Sequence, residues 1–431
     1  MTSIFARIKS KLLLPAQNIL LDKNYRLKFF QGYSILVKEL EREDLHLSKQ
    51  ELIYEDIITI TSLENEQKSL NLVIPNLEPS GIFGGLASAL SFALYFVENG
   101  YYLNIIYLNP KFEPQKEPLF LEAIRKYYSG KIDLSRVKLI DKKNVREYSF
   151  SENDLFIATF WTTALTINNT LKNNHFKNQK FVYMIQDFEP GFYAWSDNFA
   201  LADYTYTLDF IPVFNSASLY EYISQKHPQL TDYQQHIIKP VLRLPNKNTH
   251  TIGYNERQSK RNILIYGRPS KDRNLFNVII IGLKEWIKEH NIQPSDVNIN
   301  SIGETHQEIS LGNAINLKPL GKMSYDQYID LLGKTDIGIS LMMSPHPSYP
   351  PLEMALYGVK VITNRFENKQ LKNIDNLSVI NPYPKDLSQT IARLYNSLPK
   401  TDRKLANTDF LDGMGSPINQ VFEHLFKNCF S

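Results

Sequence analysis

The sequence predicts an α/β protein built from two Rossmann-like, doubly wound parallel-sheet domains behind a helical N-terminal extension. Three observations lead there. Short apolar runs of strand length alternate with helical segments twice, once from Leu72 to Ser224 and again from Asn262 to Thr363, an order that lays parallel strands under crossover helices. A polar stretch poor in large side chains, Leu244-Pro245-Asn246-Lys247-Asn248-Thr249-His250, separates the two sets and reads as a linker. Residues 1–66 lack the alternation and repeat apolar positions at helical spacing instead. At 431 residues the chain is long for one core. The expected divisions are 1–66, 67–245, 246–400 and a helical segment over 401–431.

Composition narrows the function before any motif is considered. Hydrophobic residues make up 43% of the chain, enough for substantial cores. Lys and Arg number 48 against 45 Asp and Glu, a net charge of +3, so no nucleic-acid partner is expected and an anionic ligand must be met by local charge. The single cysteine, Cys429, excludes an intrachain disulfide and a cysteine-based metal cluster, and a reducing cytoplasm fits. Met1 to Leu14 carries Arg7, Lys9 and Lys11 around an apolar run too short to span a bilayer, with no small-residue cleavage site. A cytoplasmic protein is the expectation.

In the extension, Ile4, Phe5, Ile8, Leu12 and Leu13, then Leu27, Phe30, Tyr33, Leu36 and Leu40, recur at helical spacing among basic residues. Such helices pack on a neighbouring domain or a partner; the second reading is a peripheral contact with an anionic membrane at the inner face of the cell. The first strand of the first domain is Leu72-Val73-Ile74-Pro75. A glycine loop follows, Pro79-Ser80-Gly81-Ile82-Phe83-Gly84-Gly85, then a small-residue helix from Leu86 to Val97 that Gly100 ends. Glycines there let the backbone approach a ligand, although the spacing is not G-x-G-x-x-G and a tight turn accounts for it as well.

Strands over 103–108, 137–140, 155–159, 181–185 and 211–214 then alternate with helices over 120–128 and 162–171 and one that Asn215-Ser216 caps. Polar side chains just past a buried strand are where open α/β sheets place function. Gln186-Asp187-Phe188-Glu189-Pro190-Gly191 stands at such a place. Asp187 is the candidate ligand contact there. Asp187 with Glu189 also fits a metal-binding D-x-E pair, and Asp187 alone fits a turn carboxylate.

The second set opens with the strand Asn262 to Tyr266, which runs into the basic loop Gly267-Arg268-Pro269-Ser270-Lys271-Asp272-Arg273-Asn274 and a helix from Leu275 to His290. Strands over 297–302 and 315–317 and a helix over 325–332 lead to the segment that organises the chain. After the strand Ile337 to Leu341 comes Ser344-Pro345-His346-Pro347-Ser348-Tyr349-Pro350-Pro351-Leu352-Glu353, then a short helix and the strand Val359 to Thr363. Pro351 suits the first turn of that helix and Gly358 the residue past its end. The loop is expected to bring free backbone N–H groups, a helix-dipole terminus and Glu353 to the carboxyl edge of the sheet, where a phosphorylated ligand is held. The dipole alone also favours a glutamate in a first turn.

Ser348 to Thr363 resembles the nucleotide-sugar site of retaining GT-B glycosyltransferases of family 4. Glu353 falls on the second glutamate of that family's E-x7-E pair, which implies a hold on the donor ribose. Pro345 stands where the first glutamate would be, so the family's hexose contacts do not carry over. Gly267-Arg268 followed by Arg273 resembles the family's G-R-x4-K motif, whose two cations neutralise the donor diphosphate; here Arg replaces Lys. Within the family, the Gly-Gly loop, the Gln-Asp-Phe-Glu-Pro stretch and the Pro-rich loop resemble WsaF-like rhamnosyltransferases of bacterial surface-polysaccharide assembly. The resemblance covers most of the chain. It implies the GT-B fold, two Rossmann-like domains facing across a cleft, with the C-terminal helix (Ile418, Val421, Phe422, Leu425 and Phe426 at helical spacing) crossing back to the first domain. It implies a nucleotide-sugar donor held by Gly84, Gly85, His346, Ser348, Tyr349, Pro351 and Glu353. The acceptor, a glycan or lipid-linked glycan, is then expected near Phe83, Gln186 and Glu189, with other glycan-assembly enzymes as partners.

Transfer from a nucleotide sugar needs the leaving diphosphate stabilised as its bond to the anomeric carbon breaks, a task for fixed donors in a dry cleft. Arg268 and Arg273 are the catalytic candidates, with Asp187 orienting a sugar. Retaining enzymes of this type pass the acceptor proton to the departing phosphate, so no separate base, cofactor or metal is expected. The sequence is therefore read as a retaining glycosyltransferase moving L-rhamnose from dTDP-L-rhamnose onto a surface glycan. Its rivals are a transferase for another hexose and a non-catalytic sugar-nucleotide or glycan-binding module, which the missing first glutamate favours.

Overall fold

The computed structural model describes residues 50–77, 84–109, 117–127, 133–242, 244–245, 260–369, 371–398 and 404–429. The chain divides after Asp56 into two units, and the described residues from Ile57 onward belong to the second. The basic helices expected before residue 50, Phe83 and the linker residues 246–250 lie outside the described residues.

The first half is a six-stranded parallel sheet: β1 (Ser69–Ile74), β2 (Tyr102–Tyr107), β3 (Val137–Asp141), β4 (Leu155–Ala158), β5 (Phe181–Ile185) and β6 (Phe210–Phe214). Their order across the sheet is β3-β2-β1-β4-β5-β6, and β1 lies parallel to both β2 and β4. Every residue of β1 is buried; Leu72, Val73 and Ile74 form the apolar run legible in the sequence, while the Ser69 N–H and the Asn71 side chain donate to the Asp154 carboxylate. The pleat still sorts the side chains: Leu70, Leu72 and Ile74 enter one core and Val73 the other. Helix α1 (Gly84–Glu98) contributes Ala87, Leu90 and Phe96 to the first core. The remaining helices of this half are α2 (Glu117–Tyr127), α3 (Trp161–Lys172), α4 (Asp197–Tyr204) and α5 (Ala217–Lys226).

The second half repeats the plan. Strands β7 (Arg261–Gly267), β8 (Val297–Gly303), β9 (Ile309–Gly312), β10 (Ile315–Gly321), β11 (Ile337–Ile339), β12 (Lys360–Asn364) and β13 (Leu377–Ile380) lie in the order β13-β12-β11-β7-β8-β10-β9. Only β9 is antiparallel, at the edge beside β10. Without it the order is that of the first sheet. Helices α6 (Phe276–Glu289), α7 (Tyr325–Lys334), α8 (Tyr349–Leu356) and α9 (Pro384–Asn396) cover its faces.

In each half the chain reverses its winding between two adjacent strands, β1 and β4 in one and β7 and β11 in the other. Crossover connections leave in opposite directions there, so a crevice opens at the carboxyl ends of the strands. The last helix, α10 (Ile418–Cys429), returns to the first half: Val421, Phe422 and Leu425 enter its core, and the Phe422 ring lies 4.8 Å from that of Phe96. Among the described residues no helix is long and apolar enough to cross a membrane.

Candidate active site

The two reversal points open onto one cleft of about 680 Å³. Gly85, Gln186, Asp187, Arg268, Arg273, His346, Ser348, Tyr349 and Glu353, all singled out in the sequence, line it. Pro350 lines it where Pro351 was expected; Pro351 is buried inside α8. Gly84 opens α1.

Asp187 follows β5 and faces the second half. Its carboxylate pairs with the Arg273 guanidinium and accepts the hydroxyl proton of Ser344. Burial pushes this carboxyl up, but Arg273, His346 and the Ser344 hydroxyl outweigh burial and hold it below the usual carboxylate value. The guanidinium of Arg273 also lies 3.9 Å over the face of Phe192, a cation–π contact that fixes its plane. Further bonds join the halves: the Tyr349 hydroxyl is 2.8 Å from both Ser88 Oγ and Asn215 Nδ2, and Ser218 Oγ donates to the Pro345 carbonyl. Pro345 thus joins the halves through its backbone carbonyl.

Arg268 leaves the end of β7 and is held by Glu304, whose Oε1 accepts from Arg268 Nε at 3.3 Å. The same carboxylate accepts from the backbone and hydroxyl of Ser270. Glu304 thus folds the basic loop back on itself and aims Arg268, while Arg268 stays about one-third exposed.

The loop from Ser344 to Ser348 is knitted by its own polar groups. His346 N–H donates to Ser344 Oγ, and Ser348 N–H donates to His346 Nδ1 at 3.0 Å. An Nδ1 that accepts leaves the ring proton on Nε2. That Nε2 is buried without a well-formed hydrogen bond, though the Asn215 backbone lies near enough to favour the charged ring. Burial pushes the imidazole down to about 4, so His346 is a neutral donor at physiological pH. Ser348 caps α8 with φ of 69°, a conformation costly for a residue with a Cβ, and the His346 bond holds it there.

Two sequence expectations are corrected. The start of α8 was expected to present free backbone N–H groups, but Tyr349, Pro350 and Pro351 are its first three residues. Two of the early donors are therefore missing, since proline has none, and the Ser348 N–H is spent on His346. The positive charge lining the cleft is that of the side chains Arg268, Arg273 and Lys322. Glu189, expected at the acceptor, is 1% exposed and outside the cleft. Its Oε2 accepts from the first backbone N–H of α3, at Trp161, and from the Tyr183 hydroxyl. Glu189 is a buried helix cap, and it does not join Asp187 in a D-x-E metal pair.

Over Gly85 a Cβ would stand 1.5 Å from Gln186 Oε1. The glycine makes room for that amide, which rests on it. Sequence reasoning missed Ser344, Glu304, Lys322 and Tyr328, all of which touch the cleft or its lining residues. The Tyr328 hydroxyl is buried without a hydrogen-bond partner; burial first, then the charge of Glu353, push its pKa well above the usual value. Nothing in the pattern around Tyr328 distinguishes it from an ordinary core position of an amphipathic helix. Lys369, fully buried with its Nζ on the Met342 carbonyl, was missed as well; burial pushes it down to about 7.

Family models match both halves, the WsaF N-terminal domain over residues 69–217 and the WsaF C-terminal domain over residues 261–392. The chain is WsaF-like in both domains. The WsaF domains coincide with the two sheets, so the matched pairing is that of the cleft. The O-antigen biosynthesis protein RfbC of Myxococcus xanthus is 29% identical over 247 residues, which are 57% of this chain and 18% of that protein. The match thus spans about a fifth of the length of that relative. Among solved structures, the HepE protein of Anabaena in complex with UDP and glucose superposes with a TM-score of 0.58 at 11% identity, over 85% of this chain and 100% of that one. Sucrose-phosphate synthase of Thermosynechococcus elongatus gives 0.50 at 10% identity, over 84% and 95%. With two facing parallel-sheet halves, these likenesses show the GT-B fold.

Proposed function

We propose that this WsaF-like chain is a retaining glycosyltransferase of family 4 that moves L-rhamnose from dTDP-L-rhamnose onto a glycan or lipid-linked glycan acceptor of a bacterial surface polysaccharide. The observation that carries the reading is the convergence of Arg268, Arg273, His346 and Glu353 on one cleft between two doubly wound halves. The likeness to an O-antigen biosynthesis protein supports the polysaccharide part, and the likeness to a protein that binds UDP and glucose supports the nucleotide-sugar part.

In the proposed reaction the acceptor oxygen bonds to the anomeric carbon on the face from which the diphosphate leaves. The carbon–oxygen bond to phosphate breaks, and the acceptor proton passes to the departing phosphate. Arg268 and Arg273 meet the developing charge, where fixed cations in a partly desolvated cleft act most strongly. Arg273 must first exchange Asp187 for the diphosphate, which frees Asp187 to accept from a sugar hydroxyl. Glu353 accepts from the ribose ring. His346, neutral, holds the Ser344–Ser348 loop in shape beside the ligand without adding charge. The proposed reaction runs without a metal, in the cytoplasm.

Nucleoside diphosphate release from dTDP-L-rhamnose, UDP-glucose and GDP-mannose, with and without a glycan acceptor, tests the proposal. Release from dTDP-L-rhamnose that rises with acceptor supports it; release from another donor alone changes the sugar. Nucleotide binding with no release from any donor would favour the non-catalytic module, the reading that Pro345 and the Asp187-occupied Arg273 support.

A further inference from the structure

A second, open cavity of about 470 Å³ adjoins the donor cleft and shares Arg273 and Phe192 with it. Its walls are rings. Trp195 is 93% exposed, and its indole lies parallel to Phe199 at 5.6 Å and 10°. Phe188 meets Tyr222 edge-on at 5.1 Å, and Phe366 of the second half leans on Tyr222 from across the mouth. Polar groups stand among the rings: the Asp203–His227 pair, 3.0 Å apart, and Lys226, whose ammonium lies over Tyr222.

Here the exposed indole is part of a contiguous aromatic patch rimmed by polar groups, which is the mark of a binding surface. A pyranose offers what this cavity lacks, a flat C–H face for a ring and hydroxyls at its edge for a carboxylate and an imidazole. An isoprenoid chain would be better served by dry aliphatic walls, which Met343 and Pro345 alone provide here. We propose that this cavity is a glycan subsite for the acceptor: Trp195 and Phe199 form a platform for a pyranose ring, and Asp203 with His227 reads its hydroxyls. The assignment rests on the transferase reading for its role and on the cavity itself for its ligand. It replaces Glu189, which the fold buries, as the anchor of the acceptor.

Of the three tryptophans, Trp161 and Trp286 are buried, so iodide quenching of the full-length protein reports on Trp195. A rhamnose hexasaccharide is the first probe, maltohexaose the second and decaprenyl monophosphate in detergent the third. Protection by an oligosaccharide, lost in Asp203→Asn, is expected. Trp195→Ala should raise the acceptor KM about tenfold, the scale of one aromatic contact, with kcat at saturating acceptor and KM for the sugar nucleotide unchanged. Absence of protection by both oligosaccharides, protection by the isoprenyl phosphate alone, or a wild-type acceptor KM in Trp195→Ala overturns the assignment. Should the wild-type protein release no nucleotide from any donor, the transferase reading fails, and the quenching result alone then decides whether the cavity is a glycan site.

Discussion

The Arg273 guanidinium and the Asp187 carboxylate form an ion pair that closes the cleft from opposite halves of the chain. Each is mostly buried, with side-chain exposures of 21% and 10%. In the proposed reaction a diphosphate entering the cleft competes with Asp187 for the same planar donors, so the pair would oppose binding until a ligand of matching charge arrives.

Arg273→Ala is expected to lower turnover by about 10²-fold or more, because it removes a cation facing the developing charge. It also strands Asp187, at a stability cost of about 3 kcal/mol. Adding Asp187→Asn should recover much of the stability and none of the turnover. Arg273→Lys should fall between wild type and alanine. Steady-state rates with thermal denaturation of the set decide the matter; a wild-type rate in Arg273→Ala would remove it from the diphosphate.

Arg268 is aimed by Glu304. Arg268→Ala is expected to cost about 10²-fold in turnover. Glu304→Gln, which keeps an acceptor for Ser270 and weakens only the ion pair, should cost about tenfold or less. Equal losses in the two variants would show that Glu304 does more than position the arginine.

Glu353→Ala is expected to weaken binding of the nucleoside diphosphate by about 1.5–3 kcal/mol, the range for hydrogen bonds to charged groups. Glu353→Gln should recover part of it, because the contact with a deoxyribose is to a single hydroxyl. Calorimetry reads this directly. Unchanged nucleotide affinity with lost turnover would move Glu353 from the ribose to the sugar.

Glu189 gives a pH signature of its own. Burial raises its carboxyl from 4.5 to about 8. An acid whose folded pKa is raised costs stability wherever the unfolded chain is ionised and the folded chain is not. The loss therefore begins above pH 4.5 and is complete above about 8. Glu189→Gln keeps an acceptor for Trp161 and Tyr183 and does not titrate. The melting temperature of the variant should gain on wild type as pH rises through that window; a constant difference would show that Glu189 is not a buried acid.

Turnover is expected to persist after chelation and dialysis, since Glu189 caps α3 rather than pairing with Asp187. Activity lost to a chelator and restored by Mn²⁺ would place a metal in the cleft.

Much of the fold was legible because buried parallel strands are rich in short apolar runs and their connections carry helix caps. Phe181–Ile185 was read to the residue, and the Ser216 cap and the Gly358 terminus were found where the sequence placed them. The edge strand β9 escaped because half of its residues face solvent and its run is only four residues long. Helix α4 escaped because it is short and its apolar residues form no stripe; Ser196 caps it. Helix α9 carries a local signal as well, Leu387, Ile391 and Leu394 at helical spacing behind Pro384.

The sequence by itself determined the α/β class, the repeated winding and the set of loops at the carboxyl ends of the strands, because these follow from local periodicity and punctuation. It could nominate Asp187, Arg268, Arg273, His346 and Glu353 from their positions in those loops. Only the tertiary structure decided their partners. Asp187 and Glu189 are two residues apart, yet one faces Arg273 across the cleft and the other caps a helix beneath the sheet. That outcome depends on which group, 86 residues on in one case and 28 back in the other, meets each carboxylate. Local pattern carries no information about such meetings; the packing of the two halves does.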